Sequence, residues 1–180
     1  MEQGETLWDI ARLYGVSVER IAQANDLADP HRITAGQRLT IPGASAPRRP
    51  RLVVNGRLQR ALQWPVRGGI SSPFGRRWGR MHEGVDIRVP PGTPVRAAAG
   101  GRVVFAGWNG GYGYLVIVDH GQGVHTYYAH NRRVVVREGQ QVNRGQVLAY
   151  SGSTGHTTGP HLHFEVRLNG RPLNPVRYLR

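Results

Sequence analysis

Two short stretches near the start of the chain place apolar residues at helical spacing. In the first, Leu7, Ile10 and Tyr14 recur at intervals of three and four residues, which predicts an amphipathic helix with one buried face. Val18 and Ile21 repeat this spacing a few residues later. We therefore predict two short helices near the N-terminus.

A strand is expected to complete this first segment. Ile33, Leu39 and Ile41 precede Pro42, and their order suggests a closing strand that ends at the proline. A unit of about forty residues buries little surface and is only marginally stable. We expect it to need a partner strand before Thr6, of which this sequence contains almost nothing.

A segment rich in proline and arginine comes next. Residues 43–51 read GASAPRRPR, which is typical of a linker. Residues 52–63 include a short apolar stretch that could belong either to the linker or to the domain that follows. We divide the chain into a first domain of residues 1–42, a linker of residues 43–63 and a second domain of residues 64–180.

From residue 64 onward the pattern is almost entirely that of β-strands. Runs rich in β-branched and aromatic residues are separated by turns with Gly or Asn; they are RVVFAGW, YLVIVDH, VHTYYAH, RVVVREG, QVLAYSG and HLHFEVRL. This spacing is typical of an antiparallel sheet. The protein is therefore predicted to be mainly β, with a compact antiparallel or barrel-like sheet after the first, helical segment.

Charge separates the two parts of the chain. All 24 basic residues are arginines, against 11 acidic residues, which gives a net charge of +13. Residues 1–42 carry a net charge of −2 and residues 43–180 a net charge of +15. A body this basic favours anionic partners such as nucleic acid, anionic lipid or an acidic wall polymer, and charge alone does not choose among them.

Composition excludes several classes of protein. The chain has no cysteine, which rules out disulfides and thiolate metal sites. Its longest aliphatic run, Leu115 to Val118, is far shorter than the roughly 20 residues of a membrane span. The first residues lack both the basic and the apolar region of an export signal. No helix-turn-helix or aromatic RNA-binding signature supports nucleic-acid binding.

His82 and Asp86 form the first candidate site. In a straight strand these two residues would share a face but lie about 13 Å apart, too far for two ligands of one zinc ion. Gly84 between them is the residue best able to bend the chain. The pair alone fits a salt bridge or a turn cap as well as a metal site.

A second candidate lies in the sequence HLHFE. Strand alternation places His161, His163 and Glu165 on one face, with Leu162 and Phe164 on the other. Two imidazoles on one face of a half-buried strand are costly without partners. The pattern therefore favours a shared metal ion or a hydrogen-bonded groove.

His130 ends the run VHTYYAH. Strand alternation predicts that His130 shares one face with Thr126 and Tyr128, while His125 and Tyr127 share the opposite face. Only one of these two faces can line a groove. A lone histidine on a strand is usually structural. The residues alone leave the role of His130 open.

The first domain resembles a LysM module, the small unit that binds N-acetylglucosamine chains of peptidoglycan or chitin. The match is carried by GETLWDIARLYGVSVERIAQANDL and ITAGQRLTIP, and it covers residues 3–42. The resemblance implies a β-α-α-β fold, of which the first strand is nearly absent from this sequence.

The second domain resembles the lysostaphin-type, or LytM-like, zinc metallopeptidases. The pieces SSPFGRR, MHEGVDI, YYAHN and GSTGHTTGPHLHFEV occur in the order typical of that family. The resemblance implies that His82, Asp86 and His163 bind Zn²⁺. It also implies that His130 and His161 act near the reacting carbonyl.

These resemblances together imply a peptidoglycan endopeptidase. Three protein ligands leave a fourth zinc position open for water, whose lowered pKa supplies a hydroxide nucleophile. The expected enzyme is periplasmic or secreted, and its LysM module would hold glycan while the second domain cuts peptide cross-links. Some relatives have lost the site residues and act as non-catalytic activators of cell-wall amidases, which is the alternative function.

Four charged residues near these motifs receive other roles. Glu83 follows His82 as in a metalloprotease helix motif but lacks the helical setting, so it is not assigned as the base. Glu165 is expected to form a salt bridge. Arg76 and Arg77 are expected at a charged rim of the groove, with orientation of the substrate or support of the oxyanion as the alternative role.

Overall fold

The computed structural model describes residues 6–14, 16–30, 32–34, 36–43, 52–77 and 79–180. The chain divides into two compact units, Met1–Arg51 and Leu52–Arg180, and each unit has its own apolar core. Among the described residues, no helix has the length and apolar character needed to cross a lipid bilayer.

Two helices form the first unit, as the apolar spacing predicts. Helix α1 spans Leu7–Tyr14 and helix α2 spans Val18–Ala24. Ser17 caps α2, since its hydroxyl accepts a hydrogen bond from the backbone N–H of Arg20 at 3.3 Å. The buried side chains of both helices meet in a small core of Leu7, Ile10, Ala11, Val18 and Ile21.

The segment after α2 differs from the expected closing strand. Its described residues, 32–34 and 36–43, contain no strand, although their apolar side chains pack against the helical core. The side-chain amide of Asn25 binds Thr40 instead, accepting from its N–H and donating to its carbonyl at 2.6 Å each. One side chain thus makes the two hydrogen bonds that a neighbouring strand would make. The partner strand expected before Thr6 lies outside the described residues.

The second unit is built from β-strands. They are β1 Val53–Val54, β2 Arg57–Leu58, β3 Gly69–Ser72, β4 Gly75–Arg77, β5 Arg80–His82, β6 Val85–Arg88, β7 Pro94–Arg96, β8 Gly101–Trp108, β9 Tyr114–Asp119, β10 Val124–Val134, β11 Gln141–Val142, β12 Val147–Ser151, β13 Leu162–Leu168 and β14 Arg171–Leu173. Two short 3₁₀ helices, Gly110–Tyr112 and Pro175–Arg177, lie between strands β8 and β9 and after β14.

One antiparallel sheet dominates this unit. Its strand order is β11-β8-β9-β10-β13-β6-β3, while β12 pairs with β10 and β7, and β14 pairs with β13. Strands β1 and β2 form a separate hairpin, as do β4 and β5. The mainly β, antiparallel fold predicted from the sequence is therefore confirmed.

Alternation along the central strands gives the sheet a core face. In β13, the fully buried Leu162 and Phe164 pair with Ile87 and Val85 of β6. The ring of Tyr128 in β10 lies 5.3 Å from that of Phe164. Because side chains alternate, the intervening residues of β6 and β13 point to the opposite face.

Residues 52–63 pack against the core of the second unit. Leu52, Leu58 and Leu62 are buried there. Leu62 also forms an isolated bridge with Leu179, supported by backbone hydrogen bonds of 3.0 and 2.9 Å. This part of the predicted linker is folded onto the second unit.

A glycine lies where the turn between β5 and β6 approaches β13. A Cβ atom on Gly84 would lie 2.4 Å from the carbonyl oxygen of Phe164 and 2.9 Å from both Glu165 Cγ and His163 Cε1. These separations are shorter than real contacts of a Cβ atom. The turn can therefore approach β13 this closely only with glycine at this position.

We expect Gly84→Ala to lower the free energy of unfolding by about 1–3 kcal/mol, because the added methyl group must push the turn away from β13. Urea denaturation of the intact protein measures this change. The matched control is Gly69→Ala on β3, where a Cβ atom would meet nothing within 4 Å, and the change there should stay below about 1 kcal/mol. Equal losses in the two variants would contradict the packing role of Gly84.

Candidate metal centre

Three strands bring the predicted metal ligands together. His82 is the last residue of β5, Asp86 lies in β6, and His163 of β13 is the direct cross-strand partner of Asp86. The turn at residues 83–84 bends the chain between β5 and β6. Two residues that an extended strand would hold about 13 Å apart therefore come into contact.

The donor atoms of these three residues converge on one point. His82 Nε2 lies 3.1 Å from Asp86 Oδ1 and 3.1 Å from His163 Nδ1, while His163 Nδ1 lies 2.8 Å from Asp86 Oδ1. Only 7% of His82, 9% of Asp86 and 7% of His163 is exposed. The cluster is therefore shielded from water as well as compact.

In His82 and His163, the ring nitrogen that faces away from the cluster, called the outer nitrogen, has a hydrogen-bond partner that determines where the ring proton lies. His82 Nδ1 is 2.8 Å from the backbone carbonyl of Pro73, and His163 Nε2 is 2.9 Å from Glu165 Oε1. Both oxygens only accept hydrogen bonds, so both outer nitrogens donate. In the neutral rings the inner nitrogens then carry lone pairs, which face each other and a carboxylate. These three groups repel unless a proton or a cation lies between them.

The pKa values of His163 and Asp86 show that the cluster favours a positive charge at this point. Burial alone would lower the pKa of His163, but hydrogen bonds to Asp86 and Glu165 raise it to about 9. Burial would raise the pKa of Asp86, yet hydrogen bonds and charge from His163 and His82 hold it well below its usual range. A divalent cation at this point competes with the proton on His163.

The donor set fits a zinc ion. Zinc in proteins binds imidazole nitrogen and carboxylate oxygen at about 2.0–2.2 Å, so two donors at a tetrahedral angle lie about 3.3 Å apart. The separations of 2.8–3.1 Å in this cluster are close to that value. Each of the three residues offers one donor atom, and these atoms all lie within 4.8 Å of one another.

A network of charged and polar groups lies behind His163. Glu165 is fully buried, and it accepts hydrogen bonds from the Tyr112 hydroxyl at 2.8 Å and from Arg167 Nε at 2.7 Å. Arg167 Nη2 continues to Glu83 Oε2 at 2.6 Å. Glu165 therefore forms the salt bridge expected of it. Strand alternation in β13 could have predicted that Arg167 lies on the face of Glu165, whereas no signal in the sequence indicated that Tyr112 belongs to this network.

His130 reaches this face through an irregularity in β10. Strand alternation predicts that His130 shares a face with Thr126 and Tyr128. The structure buries both of those side chains completely, whereas His130 lines the groove, so this prediction is wrong. His130 has a left-handed φ of 62°, and the register of β10 against β9 shifts between Tyr128 and Asn131. Such a bulge turns a side chain to the other face. The ring of His130 consequently lies 5.7 Å from that of His163.

His130 and His161 form a pair beside the donor cluster. Their ring centroids are 4.8 Å apart, and His161 Nε2 lies 3.6 Å from Asp86 Oδ1. His130 Nδ1 donates to the carbonyl of Thr154, and His161 Nδ1 to that of Gly159, both at 2.8 Å. Each Nε2 therefore keeps its lone pair when the ring is neutral. Burial lowers the pKa of His130 to about 4, so this ring is neutral at pH 7.

One open groove contains all of these groups. Its walls come from the β4–β5 hairpin, the turn around residues 109–112 and the loop around residues 156–160. Arg77 lies on one wall, with Nη2 at 3.7 Å from Asp86 Oδ2, which agrees with a charged rim. The groove is lined by all five site residues predicted from the sequence: His82, Asp86, His130, His161 and His163.

Comparison with known families agrees with this geometry. The model of peptidase family M23 matches residues 80–175, a range that includes the five groove residues. The chain belongs to peptidase family M23. The LysM domain model matches residues 2–42. Both resemblances drawn from the sequence motifs are therefore confirmed.

Proteins similar to this M23 chain include a peptidase and an activator. Over 114 residues it is 51% identical to DD-carboxypeptidase/endopeptidase Mpg of Neisseria meningitidis serogroup B, covering 59% of this chain and 26% of that protein. It is 44% identical over 119 residues to murein hydrolase activator NlpD of Escherichia coli K12, covering 65% and 31%. The match spans about a quarter to a third of each relative.

A solved M23-like structure has the same fold. The catalytic domain of the antimicrobial peptidase lysostaphin from Staphylococcus simulans aligns with a TM-score of 0.55 at 35% sequence identity. The alignment covers 62% of this chain and 89% of that domain.

We expect His163→Ala to weaken zinc binding by more than about 100-fold, because it removes one of three donors. Glu165→Gln should weaken zinc binding by about 10–100-fold, because the carboxylate that orients His163 is lost. Isothermal titration with zinc measures both effects. His125→Ala is the matched control, since His125 lies in the same sheet, in β10, but pairs with Asp119. Unchanged affinity in His163→Ala would show that zinc binds elsewhere.

Proposed function

We propose that this protein is a zinc-dependent endopeptidase that hydrolyses peptide cross-links of bacterial peptidoglycan. The observation that carries this proposal is the convergence of three donor atoms beside two further imidazoles in one open groove. Three protein ligands leave a coordination position for a reacting molecule, as in catalytic rather than structural zinc sites. Membership of family M23 and similarity to two named peptidases support the same reaction class.

His82, Asp86 and His163 would hold the metal ion. When bound, zinc supplies a Lewis acid for a peptide carbonyl and lowers the pKa of a coordinated water toward about 7. The Pro73 carbonyl and the Glu165 carboxylate fix the ring orientation of His82 and His163 through their outer nitrogens. Such partners also make the ligating nitrogens more basic.

His130 and His161 would move the protons. Each presents an Nε2 lone pair to the groove, because its Nδ1 donates to a backbone carbonyl. One ring would take a proton from the nucleophile and later release it to solvent, and the other, after taking up a proton from solvent, would donate it to the developing oxyanion or the leaving amine. Their 4.8 Å separation lets both reach the same peptide bond.

The first unit would target the enzyme to its substrate. A LysM module is expected to hold glycan strands, and tethering raises the local concentration of the attached cross-links. Residues 43–180, with a net charge of +15, are attracted to an anionic wall, and this attraction weakens as salt rises. Because peptidoglycan lies outside the cytoplasmic membrane, the proposed location is periplasmic or secreted.

A second candidate function is activation of cell-wall amidases without catalysis. Similarity to a relative named murein hydrolase activator favours it. An activator needs no bound zinc and does not turn over peptidoglycan. Metal dependence of wall digestion therefore separates the two functions.

We expect the zinc-loaded protein to release soluble muropeptides from purified peptidoglycan, to stop when a chelator is added and to resume with zinc. His163→Ala should reduce release to background. His130→Ala and His161→Ala should each lower the rate by about 10²–10⁴-fold, because each removes a proton-transfer group. Mass spectrometry of the products measures release and identifies the scissile bond as a glycine bridge or a D-alanyl link to a diamino acid.

His125→Ala serves again as the control and should digest peptidoglycan at the rate of the unmodified protein. A zinc-loaded protein that releases nothing, yet stimulates a purified amidase, would overturn the peptidase function in favour of the activator.

A further inference from the structure

The backbone and side chain of Thr154 bind three residues that are distant from it in sequence. Its carbonyl accepts the hydrogen bond of His130 Nδ1 at 2.8 Å. Its hydroxyl donates to the carbonyl of Asn131 at 2.6 Å and accepts from the backbone N–H of Tyr114 at 3.0 Å. Tyr114 begins β9 and Asn131 lies in β10, so one residue joins two strands to an imidazole of the site.

We propose that Thr154 is a positioning residue that holds His130 in the tautomer protonated at Nδ1, with the Nε2 lone pair facing the groove. The catalytic consequence rests on the proposed peptidase function. The tautomer itself follows from the hydrogen bonds and does not depend on that function.

The backbone of His130 needs support because it is strained. A φ of 62° lies in the left-handed region, which is unfavourable for a residue with a Cβ atom unless the surrounding structure holds it there. The side-chain amide of Asn131 donates to the carbonyls of Tyr114 and Tyr128 at 2.9 and 2.7 Å, which fixes the bulge from one side. The hydroxyl of Thr154 binds the Asn131 carbonyl and fixes it from the other.

Close packing of two loops sets the position of Thr154. A Cβ atom on Gly155 would lie 2.4 Å from the carbonyl oxygen of Gly111, and one on Gly113 would lie 2.3 Å from Thr154 Oγ1. The N–H of His156 also donates to the Gly111 carbonyl at 2.8 Å. The Thr154 carbonyl therefore cannot move away from His130 without opening the turn around residues 109–113.

The ring orientations of His130 and His161 depend in different ways on the loop that contains Thr154 and Gly159. His161 donates to Gly159, two residues before it, so its orientation is set locally. His130 donates to a residue 24 positions away, so its orientation depends on tertiary structure. An imidazole in the wrong tautomer loses its acceptor nitrogen, and catalysis that needs this acceptor falls by orders of magnitude.

Thr154→Val tests the proposal because valine keeps the shape of threonine and removes the hydroxyl. We expect ¹⁵N NMR of labelled histidines to show His130 losing its uniform Nδ1–H tautomer, with the signal assigned through His130→Gln. On a peptide substrate, kcat should fall by about 10–100-fold while KM and zinc affinity stay within about threefold. Thr154→Ser, which keeps the hydroxyl, should restore both the tautomer and kcat.

The control for loss of a hydroxyl is Thr93→Val. Thr93 donates to the carbonyl of Pro90 at 2.7 Å in a different turn, so its loss should leave the His130 tautomer and kcat unchanged. The proposal is overturned if Thr154→Val keeps the original tautomer, if kcat falls without a change of tautomer, or if Thr93→Val has the same effect.

Measurements on the unmodified protein keep the proposal testable if Thr154→Val does not fold. Its His130 must carry the ring proton on Nδ1, and a proton on Nε2 would overturn the proposal. A protein that digests no peptidoglycan, but whose His130 tautomer responds to Thr154→Val, would end the proposed function and support the positioning role.

Discussion

Two imidazole lone pairs and a carboxylate cannot share a buried point without positive charge between them, and the second unit is organised around that requirement. The antiparallel register places Asp86 opposite His163, and the absence of a side chain at Gly84 lets the turn after His82 approach β13. Next to the cluster, Arg167 forms ion pairs with both Glu165 and Glu83.

Features that depend on local periodicity could be predicted from the sequence. The two helices follow from apolar spacing around Leu7 and Val18, and the common face of His161, His163 and Glu165 follows from strand alternation. The need for a bend at Gly84 also followed, because the distance along a strand is fixed by backbone geometry. The residue types of the donor set fitted a metal site but also a salt bridge or a hydrogen-bonded groove, and the ligand set and the roles of the individual histidines came from the family resemblance.

Features that depend on contacts distant in sequence could not be predicted in this way. The bulge at His130 arises from registers with neighbouring strands, and alternation within β10 therefore assigned the wrong face. The closing segment of the first unit is held by the side chain of Asn25 rather than by strand pairing, which a pattern of apolar residues does not reveal. Tyr112 joins the buried network from a 3₁₀ helix whose sequence, GGY, has no periodic signal.

The bridge between Leu62 and Leu179 brings a segment near the beginning of the second unit next to a segment near its end. A unit whose terminal segments lie close together can be inserted into a longer polypeptide, because the flanking chain need not cross the groove. The modules attached to this unit can then change without altering the geometry of the groove.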